Sequence, residues 1–143
     1  MAAVSCTIGD DVRAKIQEIC DDETKNNVAI IVKCNLKTKT LVEDEYLTDA
    51  SIEDLADELS GTCLIVYRRH RPGHYNNPSS VLLIWFNEMS TRADIKRSYQ
   101  EMVQKMERQF KGLKAFQLSD PDDFTDDWVQ TRAFGMTGKS VPA

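Results

Sequence analysis

An α/β fold, with a central mixed β-sheet covered by helices on both faces, is what this 143-residue sequence predicts. Three observations predict it. Short apolar runs of strand length, such as residues 28–32 and 81–86, alternate with stretches in which apolar residues recur every three or four positions. Some neighbouring runs are separated only by turn residues and read as hairpins, whereas others are separated by helix-length segments that can cross over a sheet. The composition, 41 % apolar and 29 % charged with six Gly and four Pro, is that of an ordinary globular chain and excludes disorder, collagen-like repeats and disulfide-stapled miniature scaffolds. A chain of this length buries roughly two thirds of its unfolded surface and builds a core without metals or cross-links.

Taken in order, Ile8, Val12, Ile16 and Ile19 form one apolar stripe and predict a first helix over residues 10–22. Asn26 and Asn27 break that pattern, and residues 28–32 follow as a buried strand. Residues 35–38 read as a hairpin turn into a second strand at 40–45. Ser51 followed by Asp54 resembles a capping box and opens a short helix to about residue 59, with Gly61 at its end. Residues 63–67 and 81–86 are the next two strands. Between them, residues 68–78 hold Pro-Gly, Asn-Asn and a second Pro among five basic or histidine side chains, which predicts a hairpin with a projecting basic tip. The longest helix covers residues 91–111, its stripe formed by Ile95, Tyr99, Met102, Val103, Met106 and Phe110, and Gly112 ends it. Residues 113–118 are the last strand. Asp120 is then expected to cap a final helix with Pro121 at its first position, turning Phe124, Trp128 and Val129 to the core. The domain is expected to span residues 1–135, with 136–143 a flexible tail.

Much chemistry is absent. No phosphate-binding glycine loop and no nucleophile elbow is present. His70 and His74 are four apart, but Pro72 and Gly73 between them prevent the helix that would aim both at one metal. Asp122, Asp123, Asp126 and Asp127 stand where helix starts welcome negative charge, without the glycine of a calcium loop. Cys6, Cys20, Cys34 and Cys63 form no C-x-x-C pair and are expected as reduced, mostly buried thiols. Binding, with no catalytic residue, cofactor or metal, is therefore the expected activity. No apolar run reaches membrane-spanning length, and Met1 to Val4 lacks the basic start of a secretory signal, so a cytoplasmic protein is expected.

Charge is strongly segregated. Residues 1–67 hold six basic and fourteen acidic side chains, residues 68–114 ten basic and four acidic, and residues 115–143 two basic and five acidic. Such a dipolar chain has an oriented field. Its net charge of −5 and lack of a base-stacking motif speak against a nucleic-acid partner. Three surfaces are candidates for binding: the N-terminal segment, the basic hairpin and the exposed side of the long helix.

In their order and spacing, these segments resemble the ADF-homology family, and within it the glia maturation factor branch. The residues that carry the resemblance are Asn26-Asn27-Val28-Ala29-Ile30-Ile31-Val32-Lys33, Asp44-Glu45, the stretch from Ser51 to Leu59, Ile65-Val66-Tyr67, Tyr99, and Phe124-Thr125-Asp126-Asp127-Trp128-Val129. The resemblance implies a non-enzymatic regulator of the actin cytoskeleton that binds the actin-related-protein branching complex, inhibits branch nucleation and promotes debranching; a monomer is expected, since nothing in the sequence suggests an obligate dimer. It implies docking through the N-terminus and the long helix, by Ser5, Cys6, Arg97, Tyr99, Met102, Lys105 and Met106. A second contact would come from the hairpin, by Arg69, His70, Arg71, His74 and Tyr75. The strand at Trp85 also resembles coactosin, which leaves open direct binding to actin of the cofilin or coactosin kind. Where that family is basic after its first helix, this chain is acidic, through Glu18, Asp21, Asp22 and Glu23.

Overall fold

A computed structural model describes residues 6–22, 27–35, 37–59, 61–70, 79–88 and 91–134. The strands are β1 (Thr7–Ile8), β2 (Val28–Asn35), β3 (Thr40–Leu47), β4 (Cys63–His70), β5 (Ser79–Phe86) and β6 (Lys114–Leu118). The helices are α1 (Asp10–Asp21), α2 (Ile52–Asp57), α3 (Ala93–Gln109) and α4 (Asp126–Phe134). The strands form one six-stranded sheet in the order β1-β3-β2-β4-β5-β6. The two outer pairings, β1 with β3 and β5 with β6, are parallel, and the three inner ones are antiparallel.

Alternation along the central strands divides the core in two. Ile30, Val32, Leu64, Val66 and Leu83 point to the face that packs against Val12, Ile16 and Ile19 of α1 and Tyr99, Met102 and Met106 of α3. Ala29, Ile31, Ile65, Tyr67 and Ile84 point the other way, toward Ile52 and Leu55 of α2 and Val129 of α4. Both faces of β2 and β4 are thereby buried. That explains why they read as unbroken apolar runs, with no polar side chain at every second position.

Local signals account for several of the element ends. Ser51 Oγ accepts from Asp54 N at 3.0 Å while Ser51 N donates to Asp54 Oδ2 at 3.1 Å, completing the predicted capping box of α2. Asn35 Oδ1 accepts from the amides of Lys37 and Thr38, which shapes the turn between β2 and β3. Gly112 ends the α3 segment at φ 80°, where a side chain would be strained.

Four expectations need correction. Ile8, assigned to the first helical stripe, lies in the two-residue strand β1; it still reaches the core, and Gly9 is the residue from which α1 starts. The strands around both hairpins run two or three residues further than their apolar runs, because ladder hydrogen bonds continue where side chains turn polar. The long helix begins at Ala93, two residues later than expected. Asp120 caps a single 3-10 turn, Pro121–Asp123, rather than the final helix. A separate α4 begins at Asp126, where the Thr125 hydroxyl accepts from Trp128 N at 3.2 Å. No helix among the described residues is long and apolar enough to cross a membrane.

Candidate docking surface

The long helix α3 presents two unlike faces. Tyr99, Met102 and Met106 fall on the side turned to the sheet and are buried, at 4 %, 2 % and 0 % exposure. Arg97 lies two residues before Tyr99, roughly 200° around the helix, and is exposed together with Gln100, Glu101, Gln104 and Arg108. The three residues expected to touch a partner through apolar contact are therefore core residues. Tyr99 is more deeply committed still: its hydroxyl accepts from Cys34 N at 3.0 Å and donates to Thr62 O at 3.1 Å. It thus ties α3 to β2 and to the loop ahead of β4, and burial pushes its ionisation well above the usual tyrosine range.

Lys105 occupies the flank between the two faces. Its Nζ donates to the carbonyl oxygen of Cys6 at 2.7 Å, ninety-nine residues away in sequence. This bond fastens the start of the N-terminal strand alongside α3, so that two of the three candidate surfaces become one. The Cys6 residue is buried in the α1/α3 core, and Lys105 reaches it through its backbone carbonyl. Arg13 on α1 adds a second clasp to the same helix, donating to Gln109 Oε1 at 2.6 Å.

The basic stretch at the hairpin is less free than its composition implies. Arg68 is 3 % exposed. Its Nε donates to Ile19 O at 2.7 Å and its Nη2 to Cys20 O at 2.6 Å. Helix α1 has no basic residue in its last turn, and Arg68 supplies from β4 the positive charge that a helix C-terminus favours. The missing cation at the end of α1 is the one sequence signal that could have pointed to this role. Arg69 donates from Nη2 to Asp126 Oδ1 at 2.7 Å and from Nη1 to the Tyr67 hydroxyl at 3.3 Å, joining the hairpin to α4. Arg69 is thus held within the fold, not projected from it. Ser5, Arg71, His74 and Tyr75 lie outside the described residues, and His70 is described only as the last residue of β4.

The thiols and phenols carry a consistent burial signature. Desolvation pushes Cys20 up to about 11 and Cys63 up to about 12, and raises Cys34 and Tyr67 as well. Each is held in its neutral form near neutral pH, which suits packing and not nucleophilic chemistry. Among the described residues, no three His, Cys, Asp or Glu side chains gather into a group that could hold a metal ion.

Comparison with known proteins bears on this geometry. The sequence profile of the Cofilin/tropomyosin-type actin-binding protein family matches residues 5–133. Glia maturation factor of Drosophila melanogaster is 21 % identical over 132 residues, covering 89 % of this chain and 94 % of that protein. Human glia maturation factor beta is 25 % identical over 134 residues, covering 90 % and 93 %. The solution structure of glia maturation factor from Caenorhabditis elegans superposes with a TM-score of 0.80 at 18 % identity, over 92 % of this chain and 98 % of that one. At that identity the superposition establishes the shared fold.

Proposed function

The chain belongs to the cofilin/tropomyosin-type actin-binding protein family, and from that premise we propose that it is a non-enzymatic regulator of branched actin. In this reading it binds the actin-related-protein branching complex in the cytoplasm, as a monomer, inhibits branch nucleation and promotes debranching. The observation that supports it most directly is the Lys105–Cys6 bond, which makes the N-terminal strand and α3 one continuous surface next to exposed Arg97. Both segments are those assigned to docking by the resemblance to the glia maturation factor branch.

The burial of Tyr99, Met102 and Met106 changes how such a surface would work. With its apolar stripe spent on the core, α3 offers a partner charge and hydrogen bonds: Arg97, Gln100, Gln104 and Arg108. A helix of that character, lodged between two subdomains of an actin-related subunit, acts by favouring the conformation in which neighbouring subunits separate. Its affinity falls with added salt, since exposed charges are screened within about 10 Å at 0.1 M ionic strength.

The test is paired co-sedimentation with bare actin filaments and with filaments branched by the complex, accompanied by microscopy of branch lifetime. Retention on branched filaments alone, with shortened branch lifetime, is the expected result. Arg97→Ala should lower that retention several-fold while leaving thermal unfolding unchanged. Retention on bare filaments to the same extent would instead favour direct action on actin, the cofilin- or coactosin-like reading, which the actin-binding description of the matched family keeps in play.

A further inference from the structure

Among the described residues, the sheet has an uncovered edge at the end remote from β6. Strand β1 pairs with β3 only at Thr40 and Leu41, after which the chain turns away at Gly9 into α1. Residues 42–47 of β3 remain bonded on one side, to β2, and carry no strand on the other among the described residues. Six residues of extended chain present roughly 20 Å of edge, with alternate amides and carbonyls pointing outward. An open groove of about 630 Å³ lies against the start of this edge, bounded by Gly9, Asp11, Val12 and Lys15 on one side and Leu41 and Val42 on the other.

The edge is rich in carboxylates. Glu43, Asp44 and Glu45 follow one another along it, and Asp10 and Asp11 stand at the mouth of the groove. Two of these carboxylates already pair with lysines of this chain, with which a basic segment would compete: Lys15 bonds Glu43 and lies over the Tyr46 ring, and Lys33 approaches Asp44 at 3.8 Å. Val42, at 36 % exposure, is the exposed large hydrophobic side chain among the described residues. A register shift between Ile31 and Val32 marks a bulge that places Asp44 as the extra residue of β3.

We propose that residues 42–47 of β3 form a strand-addition site for an extended protein segment bearing lysine or arginine. Backbone pairing supplies the attachment, Val42 an apolar contact, and the carboxylates the choice of partner. A second copy of this chain is a poor occupant, because pairing two such edges sets acid against acid. The acidic charge that shields the edge from strands in general is therefore also what admits a basic one. This surface is separate from α3 and requires nothing of the reading given to that helix.

The probe is a capped heptapeptide of alternating lysine and valine, with two controls: the same peptide with proline at its central valine, and one with glutamate for lysine. Binding is followed by fluorescence polarisation, and amide hydrogen exchange of the intact protein is followed by NMR at saturating peptide. The lysine–valine peptide is expected to slow exchange of the outward-pointing amides of residues 42–47 at least tenfold. Both controls, and the double variant Asp44→Lys with Glu45→Lys, should bind at least tenfold more weakly. Equal binding of the proline peptide would overturn the proposal by showing charge attraction without strand pairing. So would unchanged exchange at those amides, or their protection by self-association before any peptide is added. The proline comparison uses the unaltered protein, so a folding defect in the double variant leaves the test intact.

Discussion

Replacing Tyr99 by Phe deletes one oxygen atom and leaves the ring in place, which makes it a clean test of whether this residue belongs to the core or to the docking surface. In the folded protein that oxygen satisfies two backbone groups, Cys34 N at 3.0 Å and Thr62 O at 3.1 Å. Leaving a buried donor or acceptor without a partner costs about 1–3 kcal/mol each. Here the low end of that range, about 1–1.5 kcal/mol for each group, applies. Both groups border an open cavity of about 370 Å³, lined by Cys34, Thr62, Thr91 and Ile95, where water can reach them. The expected loss is about 2–3 kcal/mol. For a chain of 143 residues, at about 3–4 °C per kcal/mol, this lowers the midpoint of thermal unfolding by about 6–12 °C. The assay is thermal and urea unfolding followed by circular dichroism, with co-sedimentation on branched filaments at a temperature where both proteins are folded. Binding per folded molecule should be unchanged. Stability within about 0.5 kcal/mol of the parent, together with weakened binding, would refute the reasoning and return Tyr99 to the partner surface.

Three further outcomes follow from the same contacts. Arg68→Leu removes the guanidinium that caps α1 and strands the carbonyls of Ile19 and Cys20, costing about 2–4 kcal/mol by urea unfolding; a neutral result would mean that α1 ends without it. Ser51→Ala breaks the capping box of α2 and should cost about 1 kcal/mol, with α2 amides exchanging faster than those of α3. Stability should fall as pH rises above about 9. The thiols of Cys20 and Cys63 ionise only near 11 and 12 when folded, against 9.0 in the unfolded chain, so the unfolded state releases protons first and is favoured. That contribution is intact below pH 9 and is lost progressively toward pH 12; urea midpoints that stay level between pH 7 and 10.5 would contradict it.

The sequence by itself determined the elements whose causes are local. Apolar period separated helices from strands, the Ser51–Asp54 pair marked the start of α2, and the turn residues at 35–38 set the first hairpin. Hairpin pairs combined with helix-length crossovers also implied a sheet covered on both faces, which is what α1 and α3 on one side and α2 and α4 on the other provide. What only the tertiary structure decided are relations between distant groups. The strand at Thr7–Ile8 is two residues long and exists because β3 is there to receive it, so no periodicity could announce it. Arg68 reads as one of a basic series until α1 is found to end against it. Lys105 reads as a solvated lysine until the Cys6 carbonyl arrives from ninety-nine residues away. Tyr99 sits in an amphipathic stripe that by its spacing reads as core, whereas the family resemblance puts it on the docking surface, and its burial with two hydrogen bonds to backbone ties it to the core. Local propensity acts between residues a few positions apart, whereas the partner of a charge or a hydroxyl is chosen by how the chain closes on itself.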